Sequence, residues 1–116
     1  MTNVPEPDRC GWCHRPLAQR TGAGRPRRFC SRSHRQRAYE ARRRADALHV
    51  PADQCIVAVA DLNRLHDLLY RVEAAVDDVT ADLAGTTDDS GYRVAFVHLM
   101  DAVGDLVGTV VEPVRQ

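Results

Sequence analysis

The chain has no lysine: all sixteen of its basic residues are arginine. A GC-rich codon bias produces the same pattern, so the absence by itself carries no function. Aromatic side chains are only 5% of the residues, too few to line a large ring-stacking pocket. No apolar run reaches the ~18 residues that a membrane span needs, which excludes a transmembrane helix and a membrane partner. The first nine residues, MTNVPEPDR, lack the basic end and apolar stretch of a secretory signal. They read as a flexible lead-in (1–9) of a cytoplasmic protein. There is no glycine-rich phosphate loop and no pair of carboxylates at a catalytic spacing. No catalytic residue is therefore expected, and an enzyme is the weakest reading.

What is present is 116 residues, 44% of them hydrophobic. That composition excludes wholesale disorder and fits one compact domain or two very small ones. The formal net charge of zero conceals a segregation. Through Val50 there are twelve arginines against four acids, a balance of +8, and from Pro51 onward four arginines against twelve acids, a balance of −8. The basic half is suited to a polyanion partner.

Three of the four cysteines lie in that basic half, and with no export signal a disulfide framework is a poor explanation. The pattern is Cys10-Gly11-Trp12-Cys13, sixteen residues, then Cys30-Ser31-Arg32-Ser33-His34. A C-x2-C turn lets two thiolates converge, and Gly11 gives the turn backbone freedom. Cys30 and His34 are four apart, one above the other on a helix face. Three thiolates and one imidazole are the donor set of a closed, structural Zn2+ site, with no position left open for water. His14, directly after Cys13, is the rival fourth ligand, although its side chain would leave the turn in the wrong direction.

Between the two pairs, Gly22-Ala23-Gly24 and Pro26 mark a turn, with Leu17 and Phe29 as apolar plugs on either side. A short two-stranded ribbon is expected there. Knuckle, ribbon and a helix bearing the last two ligands make a treble clef over residues 10–50. A module this small cannot bury enough apolar surface to fold alone. Structural zinc, with an apparent binding energy on the order of 10–16 kcal/mol, would make metal binding and folding one event.

Phe29-Cys30-Ser31-x-x-His34-Arg35-Gln36-Arg37-Ala38-Tyr39, followed by arginines, resembles small bacterial treble-clef fingers of the FCS and CGNR types, especially actinobacterial proteins pairing such a helix with a CxxC knuckle. The resemblance covers residues 10–44. It departs at position 34, where such fingers usually carry cysteine. It implies nucleic-acid binding and transcriptional regulation for the finger and says nothing of the C-terminal half.

From Ser31 to Leu48 nothing breaks a helix. His34, Ala38, Ala41, Ala45 and Leu48 share one line with Cys30 and form the inner face. Arg32, Arg35, Gln36, Tyr39, Arg42 and Arg43 lie opposite, flanked by Arg37 and Arg44. Such a stripe fits a DNA major groove, where arginine reads guanine and glutamine reads adenine. Arg32, Arg35 and Gln36 are placed to touch bases. Arg42, Arg43 and Arg44 are placed to meet phosphates, and Arg25, Arg27 and Arg28 to grip the neighbouring backbone. The plain alternative is a solvated arginine face. Tyr39 is the one aromatic on the stripe, which favours DNA over single-stranded RNA.

Pro51 ends the basic helix, and Asp53 is a plausible cap for the next, spanning about 53–84. Cys55, Ala58, Leu62, Leu65, Leu69, Val72, Val76, Val79 and Leu83 step by three and four, a heptad seam in which Cys55 is a small buried hydrophobe, and Ile56, Val59 and Leu68 widen it toward a helical bundle. Gly85 follows as a cap and Thr86–Ser90 as a loop. A last helix over about 91–111 carries Tyr92, Phe96, Leu99, Val103, Leu106 and Val110. Gly104 and Gly108 within it mark either a close helix approach or a frayed end. The short loop makes the helices antiparallel neighbours. The expected fold is thus a zinc-stabilised treble clef followed by an all-α antiparallel hairpin (51–116), mainly α. The hairpin is expected to dimerise through Leu62, Leu65, Leu69, Val72, Val76, Phe96, Leu99, Val103 and Leu106. Its alternatives are packing on its own finger or docking a different protein. His49, His66 and His98 have no catalytic partner at a motif spacing.

The function these features favour is a dimeric, sequence-specific DNA-binding transcriptional regulator. The alternatives are an RNA- or ribosome-associated factor and a protein-interaction adaptor with a purely structural finger.

Overall fold

The computed structural model describes residues 6–19, 22, 24–85 and 87–116. It is mainly helical: α1 is Arg32–Ala47, α2 is Val59–Asp82 and α3 is Asp89–Val107. Two compact units divide the chain. One is Met1–Ala58 with Glu112–Gln116, and the other is Val59–Val111. The hairpin is therefore an insertion: the last five residues rejoin the first unit.

In the first unit the core is small. Cys10, Trp12, Leu17 and Ala41 are buried together, with Cys13, Phe29, Cys30 and Ala38 packed against them. Leu17 and Phe29 fill the places their sequence positions indicated. Ala45 is also buried, but Leu48, expected on the inner face, is 53% exposed because it caps the helix. α1 starts where Ser31, in extended backbone, accepts a hydrogen bond from the His34 amide. That satisfies one of the unpaired donors at a helix start. Its end is closed by His49 in the left-handed region, φ 57°. The His49 amide donates to the Asp46 carbonyl and the Val50 amide to the Ala45 carbonyl, the paired bonds of a Schellman motif. Pro51 follows and forbids continuation.

The expected ribbon between the ligand pairs is not a regular sheet. Pro16 and Pro26 cannot donate to a ladder. Instead the Gln19 side chain imitates a strand residue: its amide oxygen accepts from the Arg27 amide at 3.0 Å and its nitrogen donates to the Arg27 carbonyl at 3.2 Å. The expected turn at Gly22-Ala23-Gly24 lies partly outside the described residues.

The predicted helix start at Asp53 is corrected. Pro51–Gln54 forms a turn, with the Gln54 amide on the Pro51 carbonyl, and α2 begins six residues after Asp53. The intervening chain is extended because it pairs with a distant segment. Val57 bridges Pro113, and the Val114 amide donates to the Ile56 carbonyl at 2.7 Å. Arg115 also pairs with Glu40 at 3.1 Å and Arg37 with Glu112 at 3.8 Å, tying the C-terminal segment to α1. Cys55 consequently stands before α2 and is exposed, not a buried seam residue. Ala58 also precedes the helix.

In the second unit α2 and α3 run antiparallel. Arg71 pairs with Asp105 at 3.0 Å and Asp78 with His98 at 3.2 Å, so rising positions on one helix meet falling positions on the other. The buried seam is Leu68 and Ala75 against Ala95 and Ala102. Leu68 was expected to widen the seam, but the three alanines were not expected in it. Leu65, Val72, Val79, Leu99, Val103 and Leu106 are half-buried beside them, whereas Leu62, Leu69, Val76 and Phe96 are exposed. α3 starts earlier than expected, capped by Asp88, whose carboxylate accepts from the Gly91 amide at 2.9 Å. That hydrogen bond holds the Asp88 carboxyl below its usual range. A methyl on Gly91 would fall on the Thr87 hydroxyl, so any larger residue there would require the Thr87 side chain to turn away. Nothing approaches Gly104, which removes close helix contact as its explanation. α3 ends at Val107, four residues before the expected end, with Gly108 as its C-cap.

Candidate metal centre and basic surface

Cys10 and Cys13 sit on a tight knuckle. The Cys10 amide donates to the Arg15 carbonyl, the His14 amide returns to the Cys10 carbonyl, and Arg9 bridges Pro16. His14 closes the turn at φ 61° and is exposed. Its contribution is conformational, and its side chain is outside the ligand group. The Gly11 amide donates to the Arg28 carbonyl at 2.9 Å, which brings the segment before Cys30 against the knuckle. A Cβ on Gly11 would meet the Phe29 ring at 2.9 Å, so glycine here permits that approach.

The first turn of α1 then presents His34. One ligand atom from each of Cys10, Cys13, Cys30 and His34 lies within 4.8 Å of the others, a group compatible with a metal ion. The Cys13 and Cys30 sulfurs are 3.7 Å apart, and His34 Nδ1 is 3.0 Å from the Cys30 sulfur and 3.9 Å from that of Cys10. None of the cysteines is in a disulfide, and 3.7 Å is far beyond the roughly 2.05 Å of an S–S bond.

The electrostatics of the group favour a cation. Burial pushes the Cys10 thiol up, but the amides of Cys13, Cys30 and Trp12, aided by His34, outweigh it and bring the thiol down to about 5. The Trp12 and Cys30 amides each stand 3.4 Å from the sulfur. Cys10 is thus a thiolate at neutral pH. Cys30 moves the other way: burial raises it, and the neighbouring Cys13 and Cys10 sulfurs raise it further. Several thiolates in one site cannot ionise together without positive charge between them. A metal cation would supply that charge.

Beside this centre, Arg25, Arg27, Arg28, Arg32 and Arg35 line a concave surface of about 910 Å³ together with Phe29, and no acid takes part. Arg32 and Arg35 come from the start of α1 and the others from the segment preceding Cys30. The sequence-predicted basic residues thereby separate into two groups. Arg25, Arg28, Arg32, Arg35 and Arg44 have no carboxylate partner among the described residues. Arg42 is occupied: it pairs with Asp46 at 2.8 Å and donates to the carbonyls of Val50, Pro51 and Gln54. It clamps the chain leaving α1 and is not available for a phosphate. Arg27 donates to the Cys30 carbonyl at 3.0 Å, bracing the ligand loop while still facing the concavity. Gln36 leans on Glu40 at 3.4 Å, and Arg43 lies over the exposed Tyr39 ring.

Sequence reasoning missed the tasks of Arg42 and His49 and the inclusion of Glu112–Gln116 in this unit. Each depends on a contact between residues that no local period connects, except His49, whose place just before Val50-Pro51 is a helix-end signal. Comparison of the chain with protein-family models, curated proteins and solved structures returned no match. No described helix is long and apolar enough to cross a membrane.

Proposed function

We propose that the first unit is a zinc-organised nucleic-acid-binding module of treble-clef type, and that the protein is a sequence-specific DNA-binding transcriptional regulator acting in the cytoplasm. Zinc is the metal that suits three thiolates and one imidazole in a closed shell. Two thiolates each about 2.3 Å from one ion at the tetrahedral angle stand about 3.8 Å apart, and Cys13 and Cys30 are separated by 3.7 Å. The metal would fix the knuckle to the first turn of α1 and so hold the arginines of that turn in register with those of the preceding segment.

One observation carries the nucleic-acid reading: five arginines from two segments converge on a single acid-free concavity. Guanidinium groups match phosphate oxygens bidentately and read guanine by the same fork. In this reading Arg32 and Arg35, on the exposed first turns of α1, reach bases. Arg25, Arg27 and Arg28 hold the phosphate backbone. An adaptor with a purely structural finger would not need that convergence.

The test is binding of the full chain to random duplex DNA and to RNA pools over a salt series. Duplex binding should weaken steeply with salt, each neutralised phosphate contributing a slope of about −0.9. Arg35→Ala should cost about 1–3 kcal/mol and relax sequence preference. Arg28→Ala should weaken all sequences alike. Tighter binding to structured RNA than to any duplex would move the assignment to an RNA-associated factor. No binding to either, with metal in place, would leave the adaptor reading.

A further inference from the structure

Two clamps hold the backbone that brings Arg27 and Arg28 to the concavity. One belongs to the metal centre: the Gly11 amide, between Cys10 and Cys13, donates to the Arg28 carbonyl at 2.9 Å, and the Cys30 amide stands 3.4 Å from the Cys10 sulfur. The other is a single side chain. Gln19 accepts from the Arg27 amide through Oε1 at 3.0 Å and donates through Nε2 to the Arg27 carbonyl at 3.2 Å. Both backbone groups of one residue are thus paired with one side-chain amide, as a neighbouring strand would pair them.

That amide is held the right way round. Its nitrogen also donates to the Asp8 carboxylate at 3.0 Å. Asp8 is fixed in turn, its carbonyl accepting from the Leu17 amide at 2.7 Å. An ionised carboxylate can only accept. Turned over, the Gln19 oxygen would face the Asp8 carboxylate and the Arg27 carbonyl, and its nitrogen would face the Arg27 N–H. Every contact would then set like against like. Asp8 therefore selects the orientation that grips Arg27.

Arg27 is held at three points, its amide, its carbonyl and, through the Cys30 carbonyl, its guanidinium, and it still lines the concavity with Arg25, Arg28, Arg32 and Arg35. A guanidinium has five N–H donors, so most of them remain for an anion. Neither Gln19 nor Asp8 lines the concavity. We infer that Gln19, oriented by Asp8, is a positioning residue of the basic surface: it presets the Arg27 segment for a phosphate chain that it does not itself touch. The inference rests on the nucleic-acid reading of this concavity and names a residue through which the site is built.

The test is titration of the metal-loaded full chain with two probes, the nucleic acid that the wild type selects and long-chain inorganic polyphosphate, which has phosphates and no bases. Ordering a long side chain on binding weakens affinity about two- to tenfold, so Gln19→Ala should weaken both by about that factor with metal content unchanged. The salt slope should stay the same, because no charge is removed. Gln19→Asn, a methylene too short to reach both groups, should behave alike, and the Arg27 amide should exchange faster in each. A double-mutant cycle separates positioning from general support of the fold. In an Arg25→Ala/Arg27→Ala/Arg28→Ala background, Gln19→Ala should change affinity less than about twofold, since no arginine of the segment is left to position. Full affinity in Gln19→Ala and Gln19→Asn overturns the inference, as does an equal loss in both backgrounds. A wild type that binds polyphosphate and no nucleic acid overturns the nucleic-acid reading, and the polyphosphate titration then decides the role of Gln19. A wild type that binds neither overturns both.

Discussion

The two units of this chain are held together by different physics. The first has a core of a few side chains around Cys10 and Trp12 and, among the described residues, one helix and no continuous sheet. Its cohesion is concentrated at one point, where four donor atoms from three places in the sequence meet. The second has no such point. Its cohesion is spread along two helices of 24 and 19 residues, through small side chains that let the backbones approach and two ion pairs at one side. A unit organised at a point fails all at once when the point is lost, while a unit organised along a seam yields by degrees. That contrast also separates their surfaces: converging arginines on the first, exposed apolar side chains on the second.

The largest expected effect comes from removing the metal. Chelation should unfold the first unit, α1 included, because structural zinc contributes on the order of 10–16 kcal/mol. α2 and α3 should remain helical, and amide exchange read residue by residue would show protection lost from 10–50 and kept through 62–106. Loss of all protection together would break the division into two kinds of unit.

Acid acts on the same point. Cys10 has its folded thiol value lowered to about 5 from an ordinary 9.0. A lowered acid stabilises the folded state fully above its ordinary value, and that contribution is lost as pH falls toward the lowered one. The folded unit keeps the Cys10 sulfur ionised down to about 5, so proton competition with the metal, followed by metal release into a chromophoric chelator, should set in only near that value. The hairpin's Asp88, also lowered, should lose its capping contribution only below the ordinary carboxylate value of 3.8. The two units should thus titrate in separate windows.

A smaller effect sharpens the comparison from the other side. Leu68→Ala removes the one large buried side chain of the hairpin seam and should cost about 2–5 kcal/mol. Thermal unfolding of the second unit should move down while metal content stays stoichiometric. The smallest is Ser31→Ala, which deletes the cap of α1 and should cost about 1 kcal/mol. That loss should register as weaker metal binding, since Ser31 lies between two ligands of the same site.

What could be read from the sequence divides along the same line. The ligand group was legible because a C-x2-C turn and a Cys30–His34 helical register are local patterns, and each brings its pair together whatever the rest of the chain does. The structure gathers those four residues and leaves His14 outside. The basic helix was legible for the same reason. The start of α2 was not: Asp53 is a reasonable cap by local rules, but Ile56 and Val57 pair with Pro113 and Val114, and nothing within a helical window announces a partner so far along the chain. Arg42 looked like one more arginine of a stripe, and only the path of the chain past Val50 reveals what it holds. The alanines of the hairpin seam were missed because periodicity was weighted by large side chains. Alanine contributes little to such a pattern, yet Ala75, Ala95 and Ala102 are where the helices come closest to being fully covered.

The account turns on one cation at Cys10, Cys13, Cys30 and His34, and elemental analysis of protein purified without added metal or chelator tests it most directly. One zinc per chain is expected for the wild type, falling to a small fraction in Cys30→Ser, with Cys55→Ser unchanged as the control. A wild type with no stoichiometric metal, or a Cys30→Ser variant that keeps it in full, would contradict the account.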